Sequence, residues 1–191
     1  MHNLFILGSP RKNGNSATMA KAVANGLLQT RGNTVESIYL NDMNIRPCQD
    51  CGACSSTGIC VMNDDMESLY IKTDEADRLF FVSPCYFYAM SAQIKIYIDR
   101  FQARWARKYL LKQLSTTKNK RTGHLLSCAA TNGSELFTGA ILSIKCLCDT
   151  LDISYEEPLF FRKVESKNSI KNLPEHIASC ELYGSKIASR P

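Results

Sequence analysis

The chain is poor in histidine, with three in 191 residues, at positions 2, 124 and 176. Scattered in this way they form no metal-ligand or acid-base constellation, and each reads as a structural or surface residue. Long apolar runs are also missing. The stretch 79–82 is typical of the longest, far short of the roughly 20 residues that span a bilayer, so no membrane span is expected. Residues 1–9 carry no positively charged segment ahead of an apolar core, so nothing routes the chain to an oxidising compartment. A disulfide framework is therefore not expected, and a cytoplasmic location is. Internal repeats, low-complexity tracts and domain boundaries are absent too. A chain of 191 residues fits one domain, 1–191, and can bury roughly 70% of its unfolded surface without covalent staples.

The net charge is +5, unevenly spread. Asp64, Asp65, Glu67, Asp74, Glu75 and Asp77 make an acidic middle. Arg100, Arg104, Arg107, Lys108, Lys112, Lys118, Lys120 and Arg121 follow it. A basic strip can draw phosphates or an acidic partner, although this spacing is also that of a solvated helix face. No nucleic-acid motif stands beside it, so no nucleic-acid partner is expected.

Short β-rich runs alternate with longer helical patterns. Strands are expected at 3–7, 34–39, 78–82, 122–128 and 153–161, and helices at 17–29, 66–73, 92–114, 135–147 and 169–188. Ser16 is placed to cap the first helix and Gly32 to stop it. Five strands alternating with helices imply parallel pairing, with helices on both faces of one sheet. In the helix at 92–114, Tyr97, Phe101, Trp105 and Tyr109 recur at four-residue steps. That is more aromatic surface than one helix needs against its own sheet, so part of it is expected at a subunit interface.

One connection breaks the rhythm. Residues 41–65 join the second strand to the next helix, where connections usually take about 2–6 residues. This loop holds Cys48, Cys51, Cys54 and Cys60 in a C-x2-C-x2-C-x5-C array. Soft thiolates select zinc, copper(I) or iron-sulfur clusters, and ferredoxin-type clusters take three ligands from a C-x2-C-x2-C run. Zinc sites more often present two separated pairs. Cluster, zinc and free thiols all remain open on spacing alone.

Between the first strand and first helix lies GSPRKNGNS, residues 8–16. Backbone N–H groups of such a turn can converge on phosphate oxygens, with the positive end of the helix dipole behind them. A Walker loop is excluded by its spacing, and the dinucleotide G-x-G-x-x-G is absent. After the third strand comes SPCYFYAMSA, residues 83–92. In an open sheet of order 2-1-3-4-5 the crevice lies beyond the carboxyl ends of strands 1 and 3, so the polar turn and the aromatic loop would flank one ligand. A planar ring with a phosphate tail suits both walls. The loop at 131–134 could close the same crevice.

With these pieces in order, the chain resembles the NAD(P)H-dependent FMN reductases of the flavodoxin-like superfamily, and most closely their iron-sulfur flavoprotein branch. The likeness covers roughly residues 1–135. It rests on GSPRKNGNS, on CQDCGACSSTGIC followed by NDDM, and on SPCYFYAMSAQIKIYIDR. The resemblance implies a flavodoxin-like three-layer sandwich built on a five-stranded parallel sheet of order 2-1-3-4-5, with a Cys-rich loop at 41–65. It implies that Ser9, Arg11, Asn13, Asn15 and Ser16 hold the FMN phosphate. Pro84, Tyr86, Phe87 and Ser91 would line the isoalloxazine and ribityl groups, joined by Asn132 and Gly133. Cys48, Cys51, Cys54 and Cys60 would ligate a 4Fe-4S cluster. It also implies a homodimer or homotetramer with the flavin near an interface. Cys85 stands where an aliphatic residue is expected.

The flavin would carry the chemistry, so no paired acid and base is required and no side chain is assigned as catalytic. Three functions fit. One is an FMN-dependent electron-transfer flavoprotein of iron-sulfur type, in which ferredoxin or a similar donor feeds the cluster and the cluster feeds FMN, with a small molecule as acceptor or donor. Another is an NAD(P)H-dependent FMN or quinone reductase whose cysteines hold zinc or nothing. The third is a non-catalytic flavin-binding redox sensor.

Overall fold

A computed structural model describes residues 1–113, 120–167 and 169–190. The expected helix end at 114 and the basic residue at 118 lie outside the described residues. The first strand is β1 (His2–Leu7). In chain order the elements after β1 are α1 (Asn15–Leu28), β2 (Thr34–Tyr39), α2 (Cys54–Thr57), α3 (Met66–Glu75), β3 (Arg78–Pro84), α4 (Ala92–Arg100), α5 (Gln102–Trp105), β4 (Thr122–Cys128), α6 (Thr138–Thr150), β5 (Ser154–Tyr155), β6 (Leu159–Phe161) and α7 (Pro174–Ala188). The strands run parallel in the order β2-β1-β3-β4-β5, with β6 also on β4.

The central strands are buried on both faces, which is why they read as unbroken apolar runs rather than alternating ones. Successive side chains point to opposite faces. Phe5, Leu7, Phe80, Val82 and Leu126 meet Met19, Val23 and Leu27 of α1 and Cys180 and Ile187 of α7. Leu4, Ile6, Leu79, Phe81 and Leu125 meet Leu69 of α3, Ile94 and Tyr97 of α4 and Ile144 of α6. The result is the expected three-layer sandwich of flavodoxin-like type. Among the described residues no helix is long and apolar enough to cross a membrane.

The helix expected at 169–188 starts only at Pro174, after a 3-10 turn at Ile170–Asn172, and the one expected at 135–147 runs Thr138–Thr150. Two further elements depart more strongly. The run 153–161 forms two short strands instead of one. Tyr155 pairs with Gly123 and Leu159 with Leu126, so one extra residue bulges out over Glu156, Glu157 and Pro158, where proline has no N–H to give the ladder. The helix expected at 92–114 breaks at Phe101. The Tyr70 hydroxyl donates to the Arg100 carbonyl at 2.5 Å, and Arg104 N–H turns to Phe101 instead. Beyond α5 the chain continues in a π-helical turn, Ala106–Leu110, closed by Leu111 N–H to Ala106 O at 3.0 Å. Within the aromatic row, Tyr97 and Phe101 are buried in the chain's own core, while Trp105 and Tyr109 pair nearer the surface with ring centroids 5.6 Å apart.

Candidate functional site

The polar turn is organised by its own side chains. Arg11 N–H donates to Ser9 Oγ at 3.1 Å, and Gly14 N–H to Arg11 O at 3.3 Å. Helix α1 begins at Asn15, with Gly14 rather than Ser16 in the capping position and no side-chain cap. Ser16 lies inside the first turn, buried, with Oγ 3.8 Å from the Cys128 sulfur. A helix start without a side-chain acceptor keeps its first N–H groups available to an anion.

The aromatic loop closes as a two-residue hairpin. Tyr86 and Ala89 exchange both backbone hydrogen bonds at 2.9 Å, and Phe87 and Tyr88 between them have φ of 48° and 62°. Such turns favour Asn and Gly, so two aromatics at positive φ store strain, roughly 1–3 kcal/mol each. Phe87 projects fully into solvent.

Turn and loop share one cavity of about 240 Å³. Ser9, Arg11, Asn15, Ser16, Pro84 and Tyr86 stand in its wall together with Cys85 and Cys128. Six of the eleven expected cofactor-binding residues thus come together. The remaining five lie elsewhere. Asn13 faces a separate groove beside Lys12 and Tyr39. Ser91 is buried behind the cavity, its hydroxyl 2.6 Å from the Gly8 carbonyl. Asn132 and Gly133 are held through their carbonyls by the Arg162 guanidinium, and Gly133 sits against Tyr88. Phe87 is on the hairpin tip. Asn15, although in the wall, has both ends of its side chain engaged: Nδ2 donates to Ser166 O at 3.0 Å and Oδ1 accepts from Ile170 N–H at 3.2 Å.

Those two bonds hold a wall that motif reading missed. Val164, Glu165 and Lys167 complete the cavity. Their signal was positional: they follow the last strand at its carboxyl end, where the crevice of an open α/β sheet must lie. Neither cysteine in the wall is a thiolate at neutral pH. Burial pushes the Cys85 thiol up, and burial likewise pushes Cys128 up to about 11. Cys85 donates instead to the Leu136 carbonyl at 3.0 Å.

The cysteine loop is pinched at its neck by Asp64. Its carboxylate accepts from Arg46 N–H at 3.0 Å, from Met66 N–H at 3.1 Å and from both Nη atoms of Arg100 at 2.6 and 3.1 Å. Burial opposes the charge on Asp64, yet Arg100 and the two backbone donors hold the carboxyl below its ordinary range. Gly58, at φ 67°, ends α2 where a Cβ would stand 2.4 Å from Arg107, whose Nε donates to the Gly58 carbonyl at 2.8 Å. Cys48, Cys51, Cys54 and Cys60 all line one small cavity of about 40 Å³, with Arg100 and Ala103 also in its wall. Burial above all pushes the Cys54 thiol up, and Cys60, Cys48 and Cys51 push the same way. Among the described residues no three His, Cys, Asp or Glu side chains gather tightly enough to hold a metal ion. The two cavities share no wall residue. Helix α4 runs from Ser91, whose hydroxyl donates to the Gly8 carbonyl, to Arg100 in the wall of the cysteine cavity.

A parallel sheet of this order, with its cavity beyond the carboxyl ends of β1 and β3, defines a flavodoxin-like protein. The chain belongs to the NADPH-dependent FMN reductase family, whose model matches residues 1–133. It is similar to an iron-sulfur flavoprotein of Archaeoglobus fulgidus, 40% identical over 100 residues, which is 52% of this chain and 45% of that one. An iron-sulfur flavoprotein of Methanocaldococcus jannaschii is 37% identical over 100 residues, 52% of this chain and 51% of its own. The chain thus spans about half the length of the curated relatives it matches. Among solved structures, an NAD(P)H:quinone oxidoreductase from Methanothermobacter marburgensis superposes with a TM-score of 0.74 at 15% identity over 98% of both chains, a likeness of fold.

Proposed function

We propose that the chain is an FMN-dependent oxidoreductase that moves electrons between a four-cysteine iron-sulfur centre and FMN. The observation that carries this reading is the cavity shared by the uncapped start of α1, Ser9, Arg11 and Tyr86. Bound FMN would supply both two-electron and one-electron chemistry, and a cluster one-electron chemistry. The residues bind and orient. Ser9, Arg11, Ser16 and the first N–H groups of α1 meet a terminal phosphate, with Lys167 adding charge from the far wall. Pro84 and Tyr86 flank the ribityl and ring, and the exposed Phe87 offers further apolar surface to the ring. Asn15 and Ser91 act indirectly, each holding a wall in place.

The donor set at the second cavity fits a sulfur-rich centre. Four thiols line one cavity, a soft donor set of the kind that takes an iron-sulfur centre. The domain is read as one unit over 1–191, and the exposed Trp105 and Leu142 as part of a homodimer or homotetramer surface. Ferredoxin or NAD(P)H is the donor, a small molecule the acceptor, and the cytoplasm the location.

A second reading, an NAD(P)H-dependent FMN or quinone reductase with bare or zinc-bound thiols, is favoured by the lack of a gathered metal site among the described residues. Anaerobic purification with iron, sulfide, zinc and flavin assays separates the two. Stoichiometric FMN with iron and sulfide supports the first reading. FMN with zinc, or with no metal and no sulfide after reconstitution, supports the second.

A further inference from the structure

One wall of the four-thiol cavity comes from outside the cysteine loop. Arg100, the last residue of α4, lines it with a side chain only 1% exposed. A guanidinium carries five N–H donors in a fixed fork. Here Nη1 donates to the Arg46 carbonyl at 2.9 Å and to Asp64 Oδ2 at 2.6 Å, and Nη2 to Asp64 Oδ1 at 3.1 Å. The Nε–H is different: it is buried and has no acceptor among the described residues. Buried donors without partners are rare, and each asks what would meet it. The cavity that Arg100 lines carries all four thiols, alongside the polar side chains of Gln49, Asp50, Ser55 and Gln102.

We propose that Arg100 is a positioning residue for the centre held by Cys48, Cys51, Cys54 and Cys60: its Nε–H donates to a sulfur of that centre and makes the centre easier to reduce. The inference rests on the cluster reading above. A sulfur that gains negative charge on reduction accepts a stronger hydrogen bond, and donors around a cluster are a known lever on its potential. Asp64 sets the other edge of the fork and offsets part of its charge.

The test is an EPR-monitored redox titration of anaerobically reconstituted protein. Arg100→Lys keeps a cation and removes the Nε–H. The ratio of reduced to oxidised centre at a fixed potential is expected to fall at least tenfold, a shift of 59 mV to more negative values for a one-electron couple. Asp64→Asn leaves the guanidinium uncompensated and is expected to move the ratio the opposite way, whereas a purely structural role moves both variants alike. Pulsed EPR on wild-type protein labelled with 15N-arginine needs no variant to fold, and is expected to show a nitrogen coupled to the reduced centre. Absence of that coupling, or potentials that stay unchanged in both variants, overturns the inference and leaves the cluster reading standing. Wild-type protein that takes up no iron and sulfide overturns both.

Discussion

The Ser91 hydroxyl donates a 2.6 Å hydrogen bond to the Gly8 carbonyl, joining the end of the aromatic loop to the start of the polar turn. Ser91 N–H in turn donates to Ser83 Oγ at 2.9 Å, and Gly8 N–H to Val82 O at 2.8 Å. Gly8 has to be glycine because a Cβ there would lie 2.1 Å from Ile94. The two walls of the cavity are therefore set against each other by a buried polar link before any ligand arrives.

Ser91→Ala removes that link and leaves the Gly8 carbonyl without its buried donor. A cost of about 1–3 kcal/mol in unfolding free energy is expected, together with weaker FMN binding, although Ser91 does not line the cavity. Denaturant melts and a flavin titration check this. Unaltered stability with weakened binding would instead make Ser91 a direct ligand contact.

The hairpin strain gives a prediction of opposite sign. Phe87 is fully exposed at φ 48°, so Phe87→Asn gives up no packing and places there a residue that tolerates this conformation. The melting temperature is expected to rise, by an amount corresponding to roughly 1 kcal/mol, while affinity for FMN falls. A variant that is more stable and binds FMN as well as the parent would remove Phe87 from the ring site.

His124 sets an acid limit. Burial, aided by Arg78 and Arg190, pushes its pKa down from 6.5 to about 3. Tyr183 Oη donates to Glu157 O, so it accepts from His124 Nδ1, and the Thr122 hydroxyl donates to Nε2: the ring is held neutral. Below about pH 6.5 the unfolded chain binds a proton that the folded one refuses. Stability therefore falls as pH drops from about 6.5 towards 3, by at most about 1.4 kcal/mol per unit from this group. His124→Phe keeps the stack on Phe80, whose ring lies 4.7 Å away, and is expected to be less stable at neutral pH but flatter across the acid range. Urea midpoints at several pH values measure both.

Much of this was legible in sequence because the sheet's middle strands are buried on both faces and carry strong apolar runs, and because the polar turn and cysteine loop interrupt them at defined places. The fold and the pairing of residues 9–16 with 84–86 follow from strand order alone. Other features were hidden in contacts between distant residues. The break at Phe101 depends on a hydroxyl from Tyr70, and the loss of Asn15 to Ser166 and Ile170 depends on a partner about 150 positions away. Arg100 looked like one cation in a basic strip; only its pairing with Asp64 places it under the cysteine loop. Lys167 belongs to a stretch without a motif, and its role is topological.

The central claim is that the turn at 8–16 grips the phosphate of a mononucleotide. Its most direct test is a fluorescence titration of flavin-free protein with FMN and with riboflavin, which differ by that phosphate, repeated on Arg11→Ala. FMN is expected to bind one per chain and far more tightly than riboflavin. Arg11→Ala should weaken FMN about tenfold or more, corresponding to a charge-assisted bond of about 1.5 kcal/mol, and leave riboflavin nearly unaffected. Equal affinity for the two flavins, with no effect of Arg11→Ala on either, would contradict the account.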